Sequence, residues 1–578
     1  MRISIILPAL LLSFLTTAQV VPYNLVPDWI STPNGQIATG LGLADINGDG
    51  YKDLVVANGN DIQRQRLAVH YNQGNGNFNL TPDWQSADID YHGHLACGDL
   101  DNDGDIDVVV SVYIGPAGFS EPGELKVYYN QGNQLEANPS FVSNPFYTFS
   151  CALGDADADG DLDIASVAGE PYGGLLDYGK IFLNDNGAFQ PASEWESSIL
   201  MGSLDVEFGD FNRDGFMDVI FVCEGTPNVI YLAGENGVID EGPDWQSEEV
   251  INYINSVDVG YVGSQSIVVM TENNQLGGNG QVRKYDFGSP FPSSSSASWY
   301  SNNFGYGSGI VLNDVDLDNN PDLIYGGWWL PVKIALGDGT GFEMNTSYTS
   351  NTNSVVEAIL LADLDKVDVE VLQETFQVSS SQANTNMIVL EKQVLEGILE
   401  VWRNGEIVPA QNYKHVPGKP WVIFSDPLQT AESVEVSYYF SPYPDMAVTN
   451  WDSNKGDYIF YNTESSVGTE EHGDKGAGKP GGLEVWPVPA RDWVRFSNQQ
   501  SAVSGQQSLG NGYPVLGRHG TGKIEIYNTS GCLINSIIWP EGKNEIEINV
   551  ETMQPGFYLV FLKGESGIIN WGKIIIID

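Results

Sequence analysis

Asp45, Asn47, Asp49 and Asp53 stand first, third, fifth and ninth in one short run, with Gly50 at the sixth place. Oxygen-bearing side chains at alternate positions of a tight turn aim at a common point, the arrangement a hard cation such as Ca²⁺ takes at ~2.3–2.6 Å. The glycine admits positive φ. The carbonyl of Tyr51 and the carboxylate of Asp53 then close the cage. The next residues, Leu54-Val55-Val56, have strand rather than helix composition, so the pattern reads as a calcium hairpin.

The pattern returns at Asp99, Asp101, Asp103, Asp105 and Asp107, and again at Asp155, Asp157, Asp159, Asp161 and Asp163. It returns once more at Asp210, Asn212, Asp214, Phe216 and Asp218, and at Asp314, Asp316, Asp318, Asn320 and Asp322. In the last of these Asn319 replaces the sixth-place glycine, a residue that tolerates the left-handed region. Two members are damaged. Asp258-Val259-Gly260 has Ser266 at its ninth place and is expected to bind no metal, while Asp363-Leu364-Asp365 is interrupted until Tyr443-Pro444-Asp445-Met446 resumes it. The expected cofactor is therefore Ca²⁺ in five intact loops, with the interrupted loop binding only if Asp445 returns beside Asp363 and Asp365.

An aromatic residue precedes each loop by about 15 residues: Trp29, Trp84, Phe141, Trp195, Trp245, Trp299 and Tyr348. A period of about 50–55 residues is that of a four-stranded blade, and such units close radially. The reading is all-β: a seven-bladed β-propeller over 19–466 with a small β domain inserted at 367–442. These residues resemble the FG-GAP or VCBS repeats, of the kind found in integrin alpha-subunit heads, from about Val21 to Asn462. Tyr23–Trp29 repeats the blade-ending Phe78–Trp84, and the last repeat stops at Asn462, so the N-terminal strand is expected to close blade seven.

Antiparallel succession puts the calcium loops on one face and the second-to-third-strand loops on the other. The insertion, rooted in a calcium loop, is expected to project from the calcium face as either a docking module or a spacer. Its strands read at Gly397–Arg403, Trp421–Phe424 and Ser433–Phe440, with an Asn404-Gly405 turn.

Lys and Arg number 25 against 76 Asp and Glu, a net charge of −51, which argues against nucleic acid and anionic membranes as partners. Arg2, the apolar run Ile5–Leu15 and Thr16-Thr17-Ala18 read as a signal peptide over 1–18, and no other run is long and apolar enough to span a bilayer. Millimolar calcium outside cells suits the loops. Cys97 and Cys151 fall on the same strand face of neighbouring blades, which leaves a disulfide or two buried thiols open.

After a flexible linker at 467–482, residues 483–578 read as a β-sandwich-like domain. It resembles the C-terminal sorting domain of type IX secretion cargo in Pro487-Val488-Pro489, Ile526-Tyr527-Asn528 with Gly531, Pro555-Gly556-Phe557-Tyr558 and Lys573-Ile574-Ile575. Val488 stands where that family usually has Asn, and Asn498–Gly520 is a polar insertion. The resemblance implies the type IX machinery as a partner, passage through the outer membrane, and a secreted or outer-surface location.

A propeller does not specify function. One reading is adhesion or substrate capture, with a glycan or extracellular protein bound by loop aromatics: Tyr113, Trp328, Trp329 and Trp451, with Phe119 and Tyr172. The other is a polysaccharide lyase or hydrolase at the mouth opposite the calcium loops. There His92, His94, Asp205 and Tyr253 would supply imidazole, carboxylate and phenol, and Arg64 or Arg66 would neutralise a uronate.

Overall fold

The computed structural model describes residues 21–463, apart from 170–173, 235–236, 238–241, 252, 276–277, 293, 367–368 and 393–395, together with the strands between 483 and 576. The signal segment 1–18, the linker 467–482, Tyr172 and the loop-borne marks of the tail lie outside the described residues.

Seven four-stranded units follow one another, with inner strands Ala38–Ala44, Tyr91–Gly98, Cys151–Gly154, Ser203–Gly209, Ile254–Val262, Gly307–Asn313 and Ser354–Ala362. Each inner strand packs beside the next, and the last returns to the first, so the units form a closed ring of blades. In six blades the second strand opens on the ninth-place aspartate: Asp53, Asp107, Asp163, Asp218, Asp322 and Asp445. Each outer strand opens on the aromatic marker. The N-terminal strand Trp29–Ile30 is the outer strand of blade seven, pairing with Tyr458–Phe460 through Trp29↔Ile459. The ring thereby closes with its two chain ends in one sheet, which removes an exposed edge.

The markers sit at the seams between blades. Trp84 meets Tyr128 of the next blade at 6.5 Å, Trp245 meets Tyr285 at 5.3 Å, and Tyr348 meets Tyr23 of the closing segment at 6.1 Å. Asparagines after the third strands add a second seam: Asn130 Nδ2 donates to Ile46 O and Asn184 Nδ2 to Leu100 O, each at 2.8 Å. Blades six and seven are joined further, because the long strand Asp322–Leu330 bends over and pairs Trp328 with Val355.

The insertion folds as two small sheets, 370–377/433–440/397–403/406–407 and 387–389/421–424/413–414, around Val401, Val422, Phe424, Val436 and Tyr438. Asn404 (φ 51) and Gly405 (φ 80) make its left-handed hairpin turn. It does not project from the ring. It lies back over the face of the acidic loops as a cap, and Met387, Val416, Trp421 and Ile423 join the main core of the blades. Its segment Val416–Pro420 enters the axial channel, whose wall includes Leu41, Cys97, Cys151, Val311 and Leu361.

The cysteine pair is also settled. Cys97, Cys151 and Cys223 are free buried thiols, and burial pushes Cys97 up to about 12. Residues 469–578 form a separate unit of two sheets, 483–486/493–498/545–549 and 533–539/522–528/556–564/567–576.

Trp245 is 3% exposed and seats its ring on Tyr285 and Phe287. Trp245→Ala is expected to cost ~3–5 kcal/mol in denaturant unfolding followed by circular dichroism. A loss under ~1 kcal/mol would show that the marker does not hold the seam.

Candidate metal loops and ligand face

Within each intact loop the acids first organise the turn. Asp45 Oδ1 and Oδ2 accept the amides of Asp49 and Gly50 at 3.1 and 2.7 Å, and Asp155, Asp210 and Asp314 do the same in their own loops. Two loop positions are left-handed, not only the sixth. The fourth has φ 71 at Gly48, 65 at Asn102, 62 at Ala158, 61 at Arg213 and 61 at Leu317. Four of those five carry a side chain, and the turn holds them there.

The ninth aspartate ties the loop to the sheet. Asp53 accepts Ile46 N at 2.9 Å and Asn72 N at 2.8 Å, one amide from the loop and one from beyond the third strand. Asp107, Asp163, Asp218 and Asp322 repeat both bonds. Asp445 makes them too, to Leu364 N at 2.9 Å, across a sequence separation of 81, and to Asn462 N at 2.8 Å. Blade seven thus rebuilds the motif around the insertion, down to a left-handed fourth residue, Lys366 (φ 55).

The donor sets suit a hard cation. One oxygen from each of Asp99, Asp101 and Asp107 lies within 4.8 Å of the others, and the same holds for Asp155/Asp157/Asp163, Asp314/Asp316/Asp322 and Asp363/Asp365/Asp445. Blades one and four offer an amide oxygen at the third place, Asn47 and Asn212. Burial, with neighbouring acids adding to it, raises Asp53 and Asp107 to about 7 and Asp322 to about 8. Packing carboxylates this way is unfavourable unless positive charge joins them. Blade five has no such loop: the chain turns at Gly263-Ser264, and Ser266 Oγ donates to Asp210 O at 2.6 Å.

On the opposite face the four catalytic candidates do not assemble. His94 and Asp205 do meet, Nδ1 to Oδ1 at 3.6 Å, with Ser150 Oγ bonded to Asp205 at 2.6 Å and 3.3 Å from His94. His92 is fully buried, turned to Asn58 O at 2.9 Å, and burial lowers its pKa. Tyr253 is 3% exposed, its ring edge-on to Trp328 at 6.2 Å. Arg64 and Arg66 bond backbone carbonyls at Ile89, Ser86 and Ala87, and Arg64 lies 3.5 Å from Asp90. They staple blade one to blade two, so the arginine and phenol of the lyase reading are not at the mouth.

The aromatic candidates divide by exposure. Tyr113 is buried against Phe119 and Phe149, and Trp328 is 5% exposed with Nε1 donating to Glu357 Oε2 at 2.9 Å, so neither is a stacking surface. Trp451 is half-buried against Trp328 at 5.1 Å. Phe119 is 43% exposed with its ring edge on Tyr113, and Trp329 stands out furthest of the described candidates, 57% exposed on a left-handed backbone (φ 58). Its partner is a residue not singled out from the sequence: Tyr306, 37% exposed, at 5.8 Å and 83°. Glu357 was missed as well, although an acid inside the apolar run Ser354–Ala362 is a visible signal. Its carboxylate holds Ser308 at 2.9 Å and Trp328, and burial raises its pKa.

Burial opposes the charged form of His94, but the bond and charge of Asp205, then the charge of Glu357, outweigh it and raise its pKa. A group raised on folding adds stability below its unfolded pKa and loses it as pH climbs through the folded value. Relative to His94→Gln, the native chain is expected to lose melting temperature as pH rises above about 6.5. Parallel melting curves across that range would remove the charged pair.

The sequence profile of the FG-GAP-like repeat matches residues 27–110 and 169–221, and that of the secretion system C-terminal sorting domain matches 484–577. Cartilage acidic protein 1 of Mus musculus is 23% identical over 370 residues, 57% of this chain and 55% of its own length. Its Homo sapiens counterpart is 22% identical over 366 residues, 57% of this chain and 54% of its own. The chain thus spans about half the length of these curated relatives. A solved structure of BBS1N in complex with ARL6DN aligns at 11% identity over 60% of this chain and 90% of that one, with a TM-score of 0.37, a value that decides nothing further. Among the described residues no helix is long and apolar enough to cross a membrane. The chain carries FG-GAP-like repeats in a propeller-like all-β fold and a secretion-system sorting domain, a tail that implies type IX export to the cell surface or beyond.

Proposed function

We propose that this exported propeller is stabilised by calcium and captures a glycan on the face turned away from the metal loops. The observation that carries the ligand reading is the corner made by Trp329 and Tyr306. A bulky residue at positive φ costs energy, and such strain persists where the surroundings hold a side chain in a working position. Here the strained residue presents an exposed indole, perpendicular to an exposed phenol, over a Trp328 ring anchored on Glu357. Two apolar faces at a right angle fit the edge and face of a sugar ring. With a net charge of −51, a neutral or basic glycan is favoured over a polyuronate. Calcium contributes structurally, by binding only the folded loops.

Retention on immobilised neutral polysaccharides is expected to fall at least ~10-fold for Trp329→Ala, a loss of about 1.4 kcal/mol. Trp329→Gly should lose retention equally while keeping or raising the melting temperature, because glycine relieves the left-handed backbone. Retention unchanged by Trp329→Ala overturns the site. For the metal, chelation with EDTA should lower the melting temperature, and elemental analysis should find calcium in the ring. Absence of calcium together with an unchanged melting temperature removes that part.

A further inference from the structure

The cap touches the metal loops of the ring almost everywhere. Lys414 Nζ lies 2.5 Å from Asp99 Oδ2, Asn386 Nδ2 lies 2.5 Å from Asp155 Oδ2, and Lys392 Nζ lies 3.2 Å from Asn319 Oδ1. At the root of the insertion Lys366 sits over the Tyr51 ring at 4.8 Å, and Glu396 of the cap pairs with Lys52 at 3.3 Å. Gly160 and Gly215, sixth in their loops, let the cap approach: a Cβ there would stand 2.5 Å from Ser425 Cα and 2.9 Å from Thr385 Cβ.

We propose that the cap is clasped to the ring by metal: one cation in blade seven ties the two ends of the insertion together, and the cation of blade three takes Asn386 of the cap as an added ligand. The proposal rests on the calcium reading above. In blade seven Asp363 and Asp365 enter the insertion and Asp445 leaves it, with one oxygen of each within 4.8 Å of the others. Asp363 is 3% exposed. Its Oδ1 accepts Lys366 N at 2.7 Å, while its Oδ2 is buried with no hydrogen-bond partner. A buried carboxylate oxygen left unpaired is costly, and a cation in the cluster satisfies it.

In blade three Asn386 is 3% exposed, and Asp155 Oδ2 already accepts Gly160 N at 2.9 Å. A half-turn of the amide exchanges its nitrogen and oxygen, which gives a cation on Asp155, Asp157 and Asp163 one more oxygen. Calcium takes 6–8 oxygens, and the loop alone does not exhaust them. Blade two differs: Lys414 holds Asp99 Oδ2 while Asp99 Oδ1 is buried and unpartnered, so ammonium and cation take opposite oxygens of one carboxylate.

The clasp has a consequence inside the channel. The docked cap carries Lys419 between Glu207 at 2.5 Å and Asp258 at 3.5 Å, with Cys97 and Cys151 in the wall of the same cavity. Cys223 is buried elsewhere, against Met201 at the end of blade three's outer strand. Binding that couples cation to docking works in both directions, so removing the cation frees the cap.

The test labels the full chain with maleimide, with and without EDTA, and reads each thiol by peptide mass spectrometry beside elemental analysis. Cys97 and Cys151 are expected to label at least tenfold faster after chelation, with Cys223 still protected. Asn386→Ala should raise several-fold the calcium concentration that half-protects them. Calcium present, then removed, with Cys97 and Cys151 still protected overturns the clasp alone; no calcium before chelation overturns the calcium reading as well. Labelling of Cys97, Cys151 and Cys223 together shows that the ring has opened and the cap is no separate element. An unchanged calcium dependence in Asn386→Ala removes the blade three ligand.

Discussion

The fold depends on one carboxylate in each of six blades, the aspartate that opens the second strand. It is buried, and it accepts an amide from the acidic loop and another from the end of the third strand, as Asp107 does from Leu100 at 2.8 Å and Asn130 at 2.7 Å. A charge-assisted bond of this kind is stronger than a neutral one, and a buried acceptor has no water to replace a lost donor. The residue therefore fixes where the inner strand ends, how wide the loop is and where the third strand stops. Serine at this place in blade five goes with a plain two-residue hairpin between strands of nine and eight residues.

Electrostatics then sets what lies over the loops. A chain with 76 acids against 25 bases has to place its few cations where they count most. Three of them, Lys392, Lys414 and Lys419, belong to the insertion and reach the ring, and Lys366 stands at its root. Lys419 meets Glu207, which burial raises to about 7, and Asp258, raised also by burial. Such pairs gain little net stability once desolvation is counted, but a misplaced partner leaves a buried charge alone. They specify how the cap sits more than they stabilise it.

The channel is polar at the end away from the cap. His94, Ser150 and Asp205 form one cluster, and Glu357, Ser308 and Asn255 another, with Trp328 bonded to the second. That bond turns Trp328 inward and makes it the floor for its exposed neighbour Trp329. The exposed corner of Trp329 and Tyr306 and the channel are thus linked through one indole, which is why substitution at Trp328 disturbs packing while substitution at Trp329 leaves the buried network in place.

The sequence by itself determined whatever repeats. Five loops of alternating acids and seven aromatic markers set the blade count, the strand order and the closure by Trp29–Ile30, because each feature is local and recurs at a fixed period. The return of Asp445 to Asp363 was legible for the same reason: Tyr443–Met446 copies Tyr51–Leu54. The second left-handed place in each loop was not, since Ala158, Arg213 and Leu317 carry no mark of it and the turn imposes it. Nor were the exposures of Trp328 and Trp329, adjacent in sequence and opposite in fate, or the separation of His92 from His94. An alternating strand sends neighbours to opposite sides, and irregular pairing there decides which side is wet. The cap was legible as strands and not as a cap, because its place is held by single contacts, Lys414 to Asp99 and Asn386 to Asp155, between residues more than 200 apart in the chain. Only the tertiary structure brings such pairs together.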